Sequence, residues 1–132
     1  MADTLTCVVV TPETTALDEA AEFVAVPLYD GELGILPGRA PLIGRLGYGE
    51  LRLRNGGKTV SYYIDGGFVQ VADNVVSVLT NRAIPADRVN AQAASEQLEA
   101  AIERRAPTPE QEVIRDRLIK QARGQIRVAG KR

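Results

Sequence analysis

The first half of the chain alternates apolar and polar residues in short runs. In Leu5–Val10, positions 5, 7 and 9 would share one face of a strand and positions 6, 8 and 10 the other. Further runs, rich in β-branched and aromatic residues, occupy positions 23–26, 49–54, 58–64, 68–71 and 75–79. The turn sequences that separate the last four are Asn55-Gly56-Gly57, Asp65-Gly66-Gly67 and Asp73-Asn74. This pattern predicts an all-β, antiparallel N-terminal sandwich or flattened barrel.

After residue 85 the apolar spacing becomes helical. Asp87 is predicted to cap a first helix that ends at Pro107, and Thr108 to cap a second helix with Pro109 at its first position and Gln111 completing a capping box. The two helices, joined by about three residues, should form an antiparallel hairpin. We therefore predict two domains, a sandwich over 1–84 and a helical domain over 85–132. The apolar stripes are Ala94, Leu98, Ala101 and Ile102 in the first helix, and Val113, Ile114, Leu118, Ala122 and Ile126 in the second.

These stripes are thin, because the first one consists mostly of alanine. Burial of an alanine methyl group contributes far less than the roughly 1.5–3 kcal/mol gained from a leucine or isoleucine. Helices of this length are also marginal without tertiary packing. The sequence therefore predicts a hairpin that is held lightly, so that it can dock on the sandwich or come away from it.

Composition removes several classes of function. The 132 residues contain no histidine and no tryptophan, which excludes histidine-dependent catalysis and disfavours base-stacking surfaces. The net charge is −1, and no apolar run reaches the roughly 18 residues of a membrane helix. The first residues lack the features of a signal peptide, and the single Cys7 cannot form an internal disulfide. We expect a protein of a reducing compartment that binds other proteins, without a metal and without direct membrane insertion.

Charge is divided unevenly between the two halves. Residues 1–86 hold 6 Lys/Arg against 10 Asp/Glu, a net charge of −4, whereas residues 87–132 hold 10 against 7, a net charge of +3. Two interpretations stay open: a solvated basic helix face, or a basic arm that meets an acidic surface on a partner. Nucleic acid is not expected, since the arm lacks aromatic residues. The excess lies in the last helix, at Arg115, Arg117, Lys120, Arg123, Arg127, Lys131 and Arg132.

The stretch YDGELGILPGRAPL, residues 29–42, is rich in glycine and proline but does not fit a phosphate-binding loop. No Lys-Ser or Lys-Thr pair follows its glycines, and Pro37 and Pro41 lack the amide donors that a phosphate cradle uses. Glu32 and Arg39 have no acid–base mate nearby, so we expect no catalytic residues. What remains is a surface shaped by stiff turns, suited to contact with a partner.

The same stretch resembles a known signature. GELGILPGRAPL is similar to G-E-[LI]-G-I-[LY]-P-G-H-A-P-L of the epsilon subunit of F-type ATP synthase. The resemblance continues in family order through GYGELRL at 47–53, GGFV at 66–69 and NVVSVL at 74–79. The resemblance covers the sequence of the whole β half. The helical half resembles the family in its architecture, two helices, rather than in its sequence.

The resemblance implies a ten-stranded sandwich followed by two helices, in a non-catalytic subunit of the central rotor that couples ion flow to ATP synthesis. It implies a gamma subunit and the c-ring as partners, and a peripheral location on the cytoplasmic face of a bacterial plasma membrane. Family contacts with the c-ring fall on Glu32, Leu33 and Gly34, and contacts with gamma fall on Thr11, Arg39 and Gly44. Arg39 departs from the family histidine, and its permanent charge implies a more acidic or carbonyl-rich partner surface on gamma.

The resemblance also implies a regulatory role for the hairpin. In the family the hairpin either lies on the sandwich or extends along gamma toward the beta and alpha subunits of the catalytic head, where it blocks ATP hydrolysis. The basic residues of matching type are Arg115, Arg117, Lys120, Arg123 and Arg127.

Some bacterial members of the family bind ATP at a motif I/L-D-x-x-R-A. The aligned stretch here is ADRVNA, residues 86–91, in which Asp87 and Ala91 match and Asn90 replaces the motif arginine. Arg88 is a displaced substitute for that arginine, and the simpler interpretation of Asp87 is a helix cap. No cofactor is expected apart from ATP as a regulatory ligand.

Two rival functions remain after this comparison. One is a free-standing β-sandwich binding module with a basic helical tail for nucleic acid. The other is a small hydrolase, which the missing histidine and the absent nucleophile motif disfavour.

Overall fold

The structure, a computed structural model, describes residues 4–130. Within that range eight strands are followed by a short 3-10 helix and two α-helices. The strands are β1 (Leu5–Val10), β2 (Thr15–Ala21), β3 (Phe23–Leu28), β4 (Gly31–Ile35), β5 (Leu42–Asn55), β6 (Lys58–Ala72), β7 (Val75–Leu79) and β8 (Ala83–Pro85). The 3-10 helix spans Ala86–Arg88, and the α-helices are α1 (Ala91–Glu103) and α2 (Pro109–Gly130).

The strands form a sandwich around one apolar core, as the alternation predicts. The hydrogen-bonded order is β2-β1-β7-β6-β5-β3-β4, with β8 paired to β6. Neighbouring strands are antiparallel except β1 and β7, which are parallel, so the expectation of a purely antiparallel sheet is wrong at this one pair. In β1 positions 5, 7 and 9 are buried as predicted. Burial raises the pKa of the Cys7 thiol to about 12, with a smaller contribution from Glu19 and Asp18.

The two longest strands, β5 and β6, change their inward-facing side halfway along. They are 14 and 15 residues long, and their pairing is interrupted between Leu46–Gly67 and Tyr48–Asp65. Ile64 and Val69 both lie in the core although they are five positions apart, which strict alternation would place on opposite faces. Each strand therefore acts as two shorter segments, and the eight strands of residues 4–130 correspond in this way to the ten that the resemblance implies.

Two of the three predicted turns are confirmed. Gly56 and Gly57 join β5 to β6 with φ of 59° and 82°, and Asp73 and Asn74 join β6 to β7 with φ of 51° and 62°. The positive φ values at both central residues are those of a type I′ hairpin.

The third predicted turn, Asp65-Gly66-Gly67, is wrong. These residues lie inside β6, at the point where the strand changes its inward-facing side. Glycine is needed at that point for the bend rather than for a hairpin, because Gly66 and Gly67 have φ of 72° and 105°.

The helices begin and end partly as predicted. Thr108 Oγ1 accepts a hydrogen bond from the Gln111 amide at 3.2 Å, and Pro109 is the first helical residue of α2, as expected. The prediction that Asp87 caps the first helix is wrong, because Asn90 Oδ1 accepts from the Ala93 amide at 3.0 Å and α1 starts at residue 91. The connection between the helices is five residues long, 104–108, rather than about three. The predicted boundary between residues 84 and 85 falls within β8 and stays a prediction.

Candidate functional site

The helical hairpin is docked on the sandwich through α2. Val128 is fully buried against Tyr63, in a small cluster that also contains Ala86 and Val89. Gly124 lies directly over the backbone of Tyr48, since a Cβ atom on it would stand 2.7 Å from the Tyr48 carbonyl oxygen. We call this contact of α2 with β5 and β6 the docking interface.

The apolar part of the docking interface is as thin as the sequence indicates. Ala122 and Val128 are the apolar side chains that α2 buries within the described residues, and the larger residues of the two predicted stripes are at most half-buried. Ala94 and Ala101 are also buried, but they belong to α1, outside the docking interface. Two predicted stripe residues are misplaced, because Val113 is 67% exposed and Ile102 is 54% exposed. Both lie near the connection between the helices, and Val113 also lines the groove between α2 and the sandwich described below.

A buried carboxylate completes the docking interface, and sequence reasoning missed it. Asp65 is 4% exposed and its Oδ1 accepts from the Tyr63 hydroxyl at 2.7 Å, while its Oδ2 pairs with Arg82 Nε at 3.4 Å. From α2, Gln121 Nε2 donates to both Asp65 oxygens, at 3.1 and 3.3 Å. Gln125, also from α2, is buried and acts on Tyr63 in the direction that lowers its pKa. Burial, followed by the nearby Asp65, raises the pKa of Tyr63 far above its usual value. We call these five residues the polar seam.

Replacement of Gln121 by leucine is expected to loosen α2 without unfolding the sandwich. The change keeps the apolar length of the side chain but removes the only donor that α2 gives to Asp65 among the hydrogen bonds of the described residues. An under-satisfied buried carboxylate costs about 1–3 kcal/mol, and here release of α2 relieves that cost by admitting water. Hydrogen exchange of α2 amides measures the effect. Gln111→Leu on the exposed start of α2 is the matched control, and equal protection in the two variants would contradict a role for the polar seam.

The three predicted c-ring contacts lie together on β4, an edge strand of the sheet. Glu32 is exposed and held by Arg52, whose Nη1 and Nη2 each lie 3.2 Å from one Glu32 oxygen. Leu33 packs against the sandwich core, and Gly34 lies beneath the ring of Phe23. The Arg52 contact was not predicted, because residues 20 positions apart meet only once the strands pair.

Arg52 is shared between two carboxylates. Besides Glu32 it contacts Glu50 Oε1 at 3.3 Å. Burial by itself lowers the pKa of Arg52, but the Glu32 and Glu50 carboxylates outweigh it and raise that pKa above its usual value. Glu32 is therefore presented as one half of a bidentate pair rather than as a free negative charge.

The three predicted gamma contacts lie on three different segments. Thr11 follows β1 and its hydroxyl donates to the Thr14 carbonyl at 3.1 Å. Arg39 is exposed in the loop before β5, and Gly44 lies in β5 with Leu28 beside it. The loop of Arg39 is tied to the β6–β7 turn, because the Gly38 amide donates to Asn74 Oδ1 at 2.7 Å.

An exposed row of apolar side chains joins these segments, and sequence reasoning missed it. Across neighbouring strands Val10 pairs with Leu79, and Leu79 with Phe68. Phe68 pairs in turn with Arg45, and Ile43 shares that face of β5 two residues earlier. The available signal was the presence of apolar residues on both faces of β1 and β7. The row is 36–76% exposed, and we call Val10, Leu79, Phe68 and Ile43 the apolar face.

Four of the five predicted inhibitory residues line one groove between α2 and the sandwich. The groove encloses about 1070 Å³, and its α2 wall includes Arg117, Lys120, Arg123 and Arg127. Arg115 is half-buried and does not line the groove. Lys131 and Arg132, which belong to the same basic excess, lie outside the described residues.

The residues of the candidate nucleotide motif lie along one exposed segment. Asp87 and Arg88 are in the 3-10 helix, and Ala91 is the first residue of α1. Asn90, which replaces the motif arginine, is occupied as the cap of α1. Residues 4–130 contain no group of three or more metal-ligating side chains, and the expectation of no metal stays a prediction. Neither α-helix of the described range has the length and apolar character needed to span a bilayer.

The fold and its surfaces define a class of protein in which a β-sandwich with exposed contact surfaces carries a docked helical hairpin. The family profile described as "ATP synthase, Delta/Epsilon chain, beta-sandwich domain" matches residues 4–86. Together with the relatives below, this match shows that the chain belongs to the epsilon-chain family of F-type ATP synthase. Family membership identifies the chain as a subunit of a larger complex and so disagrees with the interpretation as a free-standing module.

The relatives match over most of their length. The ATP synthase epsilon chain of Rhodopirellula baltica is 54% identical over 93% of this chain and 96% of its own. The ATP synthase epsilon chain of Desulfitobacterium hafniense is 44% identical over 80% of this chain and 82% of its own. A chain in the solved Euglena gracilis mitochondrial ATP synthase (OSCP/F1/c-ring) superposes with a TM-score of 0.86, over 100% of this chain and 84% of that one, at 22% identity. That structural match supports the fold alone.

Proposed function

We propose that the protein is a non-catalytic subunit of the central rotor of an F-type ATP synthase, and that it couples ion flow through the c-ring to ATP synthesis. The observation that carries the proposal is the apolar face, which is exposed on the sandwich between the predicted gamma positions Thr11 and Gly44. An apolar row with polar surroundings is typical of a protein-binding surface. Its occupant in this proposal is a gamma subunit, with an acidic or carbonyl-rich group opposite Arg39.

The c-ring is the second partner in the proposal. Glu32, Leu33 and Gly34 occupy the edge strand β4, away from the apolar face, so that the sandwich can contact two partners at once. A bidentate Arg52–Glu32 pair offers the ring both a cation and an anion, which suits a polar loop better than an apolar surface. A peripheral location at the cytoplasmic face of a bacterial membrane is part of the same proposal, since it follows from contact with a c-ring.

The helical hairpin is the proposed inhibitor of ATP hydrolysis. Support comes from the docking interface, in which Val128 is the one large aliphatic side chain that α2 buries fully within the described residues. The rest of the contact is made by Ala122, Gly124 and the polar seam, which water can hydrate once α2 leaves. A change of a few kcal/mol is enough to shift such an equilibrium. In the extended state Arg115, Arg117, Lys120, Arg123 and Arg127 become available to acidic surfaces of the beta and alpha subunits.

Addition of the protein to a catalytic head that lacks this subunit tests the proposal. The full chain is expected to inhibit ATP hydrolysis, and a chain ending at Ala86 to bind but inhibit several-fold less. Because truncation also uncovers Tyr63, a charge variant with Arg117, Lys120 and Arg123 all changed to glutamine provides a second test. Arg104 and Arg105 changed to glutamine, outside both helices, form the control, which removes two charges where the variant removes three. Inhibition that survives truncation and charge removal alike would refute the helical mechanism.

ATP is proposed as a regulatory ligand at Asp87, Arg88 and Ala91. The exposure of Arg88 favours the proposal, because its guanidinium can supply the positive charge that Asn90 lacks. ATP binding that is lost in Arg88→Gln and kept in Arg104→Gln is the expected result. Binding that is the same in both variants would exclude this site.

A further inference from the structure

The groove between α2 and the sandwich carries an excess of positive charge. Five basic side chains line it against three acidic ones. The acids are Glu32, Glu50 and Asp116, and the first two are both paired with Arg52, which lies outside the groove lining. The basic side chains are Arg45, Arg117, Lys120, Arg123 and Arg127.

None of the five cations of the groove has a carboxylate partner in the described residues. The salt bridges within residues 4–130 join Arg52 to Glu32 and Glu50, and Arg82 to Asp65. The cations of the lining exceed its acids by two charges. Since a multivalent anion can approach several cations at once, a groove with this excess favours one electrostatically.

Three of the cations are already positioned by contacts, one of them within the sandwich and two between α2 and the sandwich. The guanidinium of Arg45, from β5, lies 4.6 Å from the centre of the Tyr29 ring, and the ammonium of Lys120, from α2, lies 5.7 Å from the same ring. Arg127 Nη2 donates to the Tyr48 carbonyl at 3.1 Å. A guanidinium has five N–H donors, so Arg127 retains others for a ligand. Such preorganisation lowers the entropy lost on binding.

The spacing of the cations on α2 sets the size of the ligand. Lys120, Arg123 and Arg127 follow one another at intervals of three and four residues, so they share one face of the helix. At 1.5 Å per residue they span about 10 Å of the helix axis. That length fits two or three linked phosphate groups better than a single small anion.

We propose that this groove is a binding site for a phosphate-rich anion of the pyrophosphate or oligophosphate class, held jointly by Arg45 of the sandwich and by Lys120, Arg123 and Arg127 of α2. The site lies between α2 and a wall formed by β5, β6 and the β3–β4 hairpin, and its lining does not include Asp87, Arg88 or Ala91. It exists only while the hairpin is docked, because its two walls separate when α2 leaves. By linkage, the anion therefore stabilises the docked hairpin. The binding site and its effect on the docked hairpin do not depend on the proposed function. Only the further step, that the anion controls inhibition of ATP hydrolysis, rests on that function.

Titration of the full chain with pyrophosphate, followed by calorimetry in moderate salt, tests the site directly. One saturable site is expected, and Arg45→Gln or Lys120→Gln should each weaken it about tenfold, as for loss of one charge-assisted hydrogen bond. Arg115→Gln removes the same charge from α2 outside the groove, and Arg88→Gln removes a charge at the candidate ATP motif. Both controls should change the affinity less than twofold. Absence of saturable binding, or equal weakening by either control, would overturn the proposal.

Hydrogen exchange is a second measurement, which distinguishes a variant whose hairpin has undocked from a variant that has only lost anion binding. Pyrophosphate should slow exchange of α2 amides in the unchanged chain and in Arg115→Gln, but not in Arg45→Gln, whose unliganded exchange should equal that of the unchanged chain. Protection that persists in Arg45→Gln would contradict a site shared by the two walls. In competition titrations, ATP that displaces pyrophosphate identifies a nucleotide as a source of the anion, and ATP that does not displace it identifies an inorganic one. All of these binding measurements use the isolated chain. If the protein failed to inhibit ATP hydrolysis, the proposed function would be refuted but the proposed anion site would not.

Discussion

Alanine at position 67 is expected to destabilise the sandwich by about 3 kcal/mol or more, which lowers the melting temperature on the order of 10 °C. Gly67 has φ of 105°, a conformation that alanine adopts only with strain, and a Cβ atom there would collide with the Leu79 carbonyl. The collision is with backbone, so no side chain can move aside. Thermal and denaturant unfolding followed by circular dichroism measure the loss.

Gly57→Ala separates the collision from the strained backbone. Gly57 also has a positive φ, 82°, but a Cβ atom on it would meet no other atom within 4 Å. Its replacement by alanine should therefore lower the free energy of unfolding only by the strain of the left-handed conformation, about 1–2 kcal/mol. Equal losses at positions 57 and 67 would show that the close approach of β6 to β7 contributes nothing.

The contrast between Gly57 and Gly67 also shows how far local sequence patterns predicted the fold. Asn55-Gly56-Gly57 and Asp65-Gly66-Gly67 are both typical turn sequences, yet only the first is a turn. In the second, Ile64 and Val69 must both reach the core, and long-range packing makes the glycines a bend inside one strand. Thr108 was correctly predicted as a cap because capping depends on neighbours three residues away. Asn90 was missed because both it and Asp87 have capping side chains.

The sequence predicted individual residues of the candidate site, but it did not predict which of them contact each other. The basic stripe of α2 and Glu32 are visible in the sequence, since each depends on the chemistry of one segment. The polar seam joins Asp65 to Gln121 across 56 positions, and Arg52 meets Glu32 across 20, so neither pair leaves a local pattern. The apolar face likewise needs the pairing of β1, β7, β6 and β5 before its members become neighbours.

Replacement of Gly124 by alanine is expected to release α2 from the sandwich while the sandwich stays folded. The new Cβ atom would stand 2.7 Å from the Tyr48 carbonyl oxygen and 3.0 Å from its carbon, so the helix must move away from β5. Alanine also favours the helix itself by about 1 kcal/mol over glycine, so the released hairpin loses no helical propensity. Exchange of α2 amides should accelerate at least tenfold, with core amides of β1 and β7 unchanged.

Gly130→Ala is the control for this change, because it adds the same methyl group to the same helix in open space. It should leave α2 docked, and its exchange rates should match those of the unchanged chain. The pair of variants also connects the docking interface to the proposed function. If extension of the hairpin blocks ATP hydrolysis, Gly124→Ala should inhibit a catalytic head more strongly than Gly130→Ala, since less free energy is then needed to leave the docked state. A Gly124→Ala chain whose helices are released but whose inhibition is unchanged would show that hairpin release does not affect inhibition. That result would argue against the hairpin as the inhibitor.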